Sequence, residues 1–150
     1  MSWGALFQAV NTAALLMWLV LILAPRWPGL IGGLRLAGAG GLSLFYVVLV
    51  GTALTIGFGE PQGTAPDFST IVGIRAIFAA DGGVVTGWTH YLALDLFAGL
   101  WIAQDSDARG IGRLVQAPVL LLTFLAGPAG LFIHLLLTRG LRIGGTSGLA

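Results

Sequence analysis

Cysteine is absent from this 150-residue chain, so neither a disulfide nor thiolate chemistry is open to it. The metal ligands that remain are His, Asp and Glu, and there are only two His and six acidic residues to draw on. Lysine is absent as well. All seven basic residues are Arg, which reads as the mark of a GC-rich genome rather than of function. Charge of either sign is scarce: 9% of the residues are charged, against about 25% in a soluble domain. Such a chain cannot cover a water-facing surface and must be solvated by lipid. A formal net charge of +1 leaves no basic face for nucleic acid.

What is abundant is apolar. Apolar residues make up 57% of the chain and the mean hydropathy is +0.95. The length suits one domain, and four spans of about 20 residues would use most of it. The fold expected is all-α: an integral membrane bundle of four transmembrane helices plus a short interfacial or re-entrant helix. Residues 1–140 form that single domain, and residues 141–150, rich in Gly and Ser, form a flexible tail.

The spans expected are Ala5 to Leu23, Leu34 to Phe58, Gly87 to Gln104 and Ala117 to Leu137. No Lys or Arg precedes the first, and its apolar run exceeds a signal h-region, so it reads as a retained helix. Pro25-Arg26-Trp27-Pro28 marks an interfacial turn. In the second span Gly33, Ala37 and Gly41 form a small-residue ridge at i, i+4, i+8 that lets helix backbones approach closely. The polar stretch Gly59 to Thr86 contains turn chemistry at Glu60-Pro61 and Pro66-Asp67. Within it, Phe68 to Phe78 is too short to span and reads as the interfacial or re-entrant helix, capped by Asp67 or Ser69.

Four spans place both termini on one face. Arg26, Arg35, Arg109 and Arg113 then lie on the short-loop face, with Arg75, Arg139 and Arg142 on the terminal face. That bias leans towards cytoplasmic short loops and external termini.

Ionisable groups within spans are costly and mark function by default. His90, Asp95 and His134 qualify. In antiparallel helices, His90 near the start of one and His134 near the end of the next both approach the terminal face. Asp95 lies about 7.5 Å deeper than His90. Asn11 approaches from the first helix, and Asp81 and Glu60 from the long loop. Around them stand Phe78, Trp88, Tyr91, Phe97, Trp101 and Phe132, the walls of a pocket for a long apolar ligand with a polar point of attack.

Plainer readings stand beside these. The histidines can snorkel, Asp81 can be a turn residue, and Asp105, about 22 Å from His90 along the axis, reads as a helix end or loop residue. His90 and Asp95 are about 140° apart around their helix, so they form no ligand pair on one face, and no metal site is assigned.

Residues 88–105 read W-T-H-Y-L-A-L-D-L-F-A-G-L-W-I-A-Q-D, and residues 120–134 read L-L-L-T-F-L-A-G-P-A-G-L-F-I-H. Together these resemble the abscisic-acid-deficient-type membrane family, whose plant members serve neoxanthin synthesis. The shared pattern is W-x-H, D-L-F, a distal Asp, then P-x-G-x-x-x-H. Here it falls on Trp88, His90, Asp95-Leu96-Phe97, Asp105, Pro128, Gly130 and His134, with Asp81 matching an acidic residue before the Trp. The resemblance implies carotenoid metabolism in a membrane: conversion of an epoxide such as violaxanthin into an allene, a xanthophyll isomerisation that needs no redox cofactor. Without a plastid targeting segment, the chain looks like a bacterial relative in an inner (plasma) membrane.

Opening a 5,6-epoxide to an allenic alcohol needs an acid at the oxygen and a base at the C7 proton. A desolvated Asp95 fits the acid, and His90 or His134 fits the base, with Asp81 as a further catalytic candidate. Asn11, Phe78, Trp88, Tyr91, Phe97, Trp101 and Phe132 are the substrate-binding candidates. The partners expected are the bilayer and a carotenoid or other isoprenoid, with homo-oligomerisation left open. Two further classes compete: a non-enzymatic carotenoid- or lipid-binding scaffold, and a small transporter or proton channel. Against the last, the polar groups occupy one half of the bundle and form no continuous path.

Overall fold

The computed structural model describes residues 2–57 and 67–144, with side chains as far as Arg139. Glu60, the turn around it and the chain beyond Gly144 lie outside the described residues, as does the Arg142 side chain. All regular structure among the described residues is helical.

Helix α1 (Trp3–Leu23) starts where the Ser2 hydroxyl accepts the Ala5 N–H at 3.3 Å, an N-cap. It stops before Pro25, because the residue ahead of a proline is pushed out of the helical region. Helix α2 (Pro28–Ile56) opens on a proline, whose missing N–H costs nothing in the first turn. Helix α3 (Ile71–Ile77) is capped by Thr70, whose hydroxyl accepts the Gly73 N–H at 3.0 Å. The expected caps work one step back, with Asp67 accepting the Ser69 N–H at 2.8 Å.

Helix α4 (Asp81–Ala108) has 28 residues and starts earlier and ends later than its apolar stretch alone predicts. Asp81 sits in its first turn, where a carboxylate complements the helix dipole. Helices α5 (Arg113–Leu125) and α6 (Gly127–Gly144) follow. The last helix thus runs past residue 140 into the expected tail.

α1 and α2 are each long and apolar enough to cross a membrane. α3 and α4 pass the same test only together, across a 99° bend. Two to three candidate spans are therefore present, and the expected fourth is broken. Ala126 leaves the helical region at φ −156°, ψ 78°, and Pro128, second in α6, follows. Proline lacks the N–H that would continue the ladder, and its ring disfavours a helical predecessor.

The chain then reverses. At the start of α5, Gln116 donates to Asp107 at 2.8 Å. At its end, the Leu125 carbonyl accepts from the Tyr91 hydroxyl at 3.0 Å. Along α6 the contacts run back down α4, from Asp95 beside Gly127 to Asp105 beside His134. α5 and α6 are thus a helical hairpin that enters and leaves at the Asp105 end. The C-terminal helix returns to the short-loop face, opposite the N-terminus, and not to the shared face that four spans require.

The core is apolar and lies between α1, α2 and α4. Trp18, 1% exposed, packs against Gly99, where any Cβ would overlap the indole. In α2 the turns from Leu34 to Gly40 are π-helical. There Gly38 and Ala39 face inward, Gly38 against Met17 and Leu96, while Gly33, Ala37 and Gly41 are exposed. The expected ridge therefore points outward, because a π turn adds a residue and rotates the register of the face. Leu36 and Leu54, 80% and 83% exposed, turn large apolar side chains outward on a helix long and apolar enough to cross a membrane.

The Asp105 end is knitted by polar groups. Arg26, 3% exposed, pairs with Asp107 at 3.1 Å, bonds the Leu21 carbonyl at 3.1 Å, and also donates to Gln116. Arg113 bonds the Ala24 carbonyl at 2.7 Å, and Arg35 bonds Gln104 at 2.7 Å.

Candidate functional site

Spacing on two helices builds the site. Trp101, Asp105 and Arg109 recur at i, i+4, i+8 along α4 and at its C-cap, so they form one stripe. On α6, His134 and Thr138 share a face for the same reason. Where the stripes meet, His134 Nε2 lies 2.9 Å from Asp105 Oδ2. The carboxylate can only accept, so Nε2 is the donor of this bond. Arg109 grips the same carboxylate with two bonds, 2.6 Å from Nε and 3.0 Å from the terminal nitrogen. The Trp101 ring meets His134 edge-on, centroids 5.3 Å apart.

Ser106 Oγ is 3.5 Å from His134 Nδ1, so Asp105, His134 and Ser106 stand in the order of a nucleophilic relay. Ser106 is 2% exposed and lines no groove, which leaves it no route to a substrate. Its place is to hold the ring.

A groove of about 420 Å³ opens beside this cluster, with Trp101 and Phe132 as apolar walls and Asp105, Arg109 and Arg139 as its charged rim. His134, 1% exposed, stands behind the carboxylate rather than in the groove. A ligand end group entering here meets a carboxylate backed by an imidazole and flanked by guanidinium groups.

Asn11, Trp88 and Tyr91 meet elsewhere. Trp88 donates its indole N–H to Asn11 Oδ1 at 2.7 Å, and its ring lies 5.3 Å from Tyr91 and 5.9 Å from Phe7. They border a second groove of about 420 Å³ between α1, α4 and α5, whose wall also includes Gln8, Thr12 and Leu125.

The expected single hollow is therefore two grooves. His90 is exposed at its level of α4, its ring 5.1 Å from Tyr46. Asp95 is five residues further along and His134 bonds ten residues beyond that, about 15 Å along the axis. The hairpin carries His134 to the other end, so His90, Asp95 and His134 do not assemble. Asp81 is exposed at the start of α4, Phe97 faces outward, and Phe78 covers Gly87. Neither aromatic borders the two grooves.

Asp95, 7% exposed, faces the start of α6. Its carboxylate lies against the Gly127 position, and Oδ2 is buried with no hydrogen-bond partner among the described residues. A Cβ at Gly127 would fall on the carboxylate. Asp95 thus sets a carboxylate against a helix N-terminus that lies inside the bundle.

Asp105 and Arg109, with Ser106 and Arg139, are the members that sequence reasoning did not assign to the site. Asp105 already stood in the family pattern as its distal Asp, and its i, i+4 spacing to Arg109 was a further signal. Among the described residues, no group of three or more His, Cys, Asp or Glu gathers as metal ligands would.

Residues 5–134 match the family model described as ABA DEFICIENT 4-like. The match covers most of the chain, and the chain belongs to that family. No curated protein and no solved structure matches it.

Proposed function

We propose that this member of the ABA DEFICIENT 4-like family is a carotenoid- or xanthophyll-related membrane protein that isomerises the epoxide end group of a polyene at the Asp105–His134 groove. The observation that carries this reading is the Asp105–His134 bond beside an apolar-walled groove. A bacterial inner membrane is the setting that suits the chain.

The reaction makes limited demands. The C7–H and C6–O bonds break, the C6–C7 double bond of the allene forms, and a proton ends on the epoxide oxygen. Asp105, the carboxylate at the groove, takes the C7 proton. His134, hydrogen-bonded behind it, exchanges a proton with the carboxylate and holds its orientation. Arg139 and Arg109 at the rim donate hydrogen bonds to the oxygen as its charge develops, and the proton leaves the Asp105–His134 pair for that oxygen. Atoms and electrons balance with no oxidant or reductant. The acid role expected of Asp95, and the base role expected of His90 or His134, pass in this proposal to the Asp105–His134 pair.

The test is expression in a carotenoid-producing host, with pigment analysis of wild type, Asp105→Asn and His134→Gln. Conversion by wild type that is lost in both variants supports the reading. Full conversion by Asp105→Asn overturns it.

A second reading rests on a specific contact. Both Asp105 oxygens already accept from Arg109, and one also from His134. A carboxylate so occupied suits a non-enzymatic binder, in which the cluster hydrogen-bonds a ring hydroxyl or keto group. A pigment that co-purifies with the protein and is returned chemically unchanged favours that reading.

A further inference from the structure

We propose that the two grooves are the two ends of one track, which takes a single elongated ligand with a polar group at each end. This rests on the reading above and extends it to the far end of the substrate.

The grooves have the same volume, about 420 Å³ each, and both use α4 as a wall. Tyr91 borders one and Asp105 the other. Those residues are fourteen apart, about 21 Å along the axis, and from Trp88 the span is about 25 Å. The polar groups at the two ends differ in kind. At the Asp105 end they are charged, as a reacting centre requires. At the Trp88 end they are neutral: the Gln8 and Asn11 amides, the Thr12 hydroxyl and the Tyr91 hydroxyl. Neutral amides and hydroxyls recognise a hydroxyl group and do no acid–base work at neutral pH.

The side chains exposed between the grooves are apolar. Leu94 is exposed on α4, and Pro128 and Ala129 are exposed at the start of α6. The grooves are offset by about a quarter turn around α4, so a ligand would cross this hairpin tip obliquely. The small residues from Ala126 to Gly130 leave the tip without large side chains to block it. A ligand that occupies both grooves is nearly as long as the hydrocarbon core is thick, about 30 Å. A rigid polyene with a hydroxylated ring at each end has that length and that chemistry. A short isoprenoid reaches one groove only.

The experiment uses the purified full chain and two polyenes of equal length, one hydroxylated on both rings and one on a single ring. Retained pigment is read by absorption. Wild type should retain the two-headed polyene about tenfold better, the effect of one or two hydrogen bonds at the far end. The Asn11→Leu, Trp88→Phe variant should lose that preference while retaining the one-headed polyene as wild type does. Gln8→Leu, Thr12→Val, which leaves the Asn11–Trp88 bond intact, should reduce the preference and guards against misfolding of the first variant. Equal retention of the two polyenes by wild type overturns the track alone. So does a preference that survives in both variants. Retention of neither polyene overturns the track and the epoxide reading together. Asp105→Asn should abolish conversion yet keep the preference, which separates the two claims.

Discussion

The two ends of α4 hold similar residue types and treat them in opposite ways. Each end has a Trp and a His, and each borders a groove of the same size. At the Asp105 end the histidine is buried and bonded to a carboxylate. The ion pairs found among the described residues all lie here, joining Arg26 to Asp107 and Asp105 to Arg109 and His134. At the Trp88 end His90 is exposed and beside a tyrosine, and the site contacts are neutral. The difference follows from the hairpin. α6 brings His134 to the Asp105 end, where Arg26 after α1 and Gln116 of α5 already gather, so polar partners stand close enough there to keep charge in a lipid-solvated fold.

Exchange of the histidines tests the contrast most strongly. His134→Gln should lower pigment conversion at least about 100-fold, the usual scale of a lost acid–base group. His90→Gln should leave it within about twofold. Equal losses from the two substitutions would remove the functional distinction between the ends.

Orientation should be just as one-sided. With α6 returned to the Asp105 end, Arg139 joins Arg26, Arg35, Arg109 and Arg113 there, leaving Arg75 among the described arginines at the other end. That asymmetry is far stronger than the near-even split that four spans imply, and by the positive-inside rule it predicts a cytoplasmic Asp105 end. The chain has no cysteine, so single introduced thiols report cleanly. In intact cells, an impermeant reagent should label Gly4→Cys and spare Gly112→Cys, both at positions with free space around the glycine. The reverse pattern would turn the molecule over.

Next in size is the hairpin turn. Gly127→Ala places a methyl group on the Asp95 carboxylate and should cost about 2 kcal/mol, as overpacking does. Asp95→Ala removes the obstacle, so the double variant should fall short of the summed losses in thermal unfolding. Strict additivity would mean that the carboxylate does not bracket the turn.

Hydropathy made α1 and α2 legible, and the apolar stretch of α4 as well. It could not show the reversal, because it counts apolar residues and is blind to a chain that turns back within the bundle. The break was nonetheless written in Gly127-Pro128, since proline at that point disfavours a continuous helix. Reading across it sent His134 to the wrong end and separated it from Asp105. The Asn11, Trp88 and Tyr91 groove was legible, because each is a polar or amphipathic group on an apolar helix, and their helices pack along their lengths. The π turn of α2 was not, because its Gly- and Ala-rich sequence suits either helical register.

The smallest effect concerns Asp67, ahead of α3 on the neutral side of the bundle. The Ser69 N–H, then the Ser69 hydroxyl and more weakly the Thr70 hydroxyl, hold its carboxyl below the usual carboxylate range. A folded-state value that is lowered means support for the fold that is complete above the unfolded value and is lost as pH falls through the folded one. Acidification below the usual carboxylate range should therefore loosen this turn. Amide exchange at Ser69 and Gly73, corrected for its intrinsic pH dependence, should accelerate there in wild type. Asp67→Asn keeps an acceptor but cannot titrate, so its exchange should show no such step. A step that persists in that variant would assign the acid sensitivity to another group and leave the neutral end without a titrating contact.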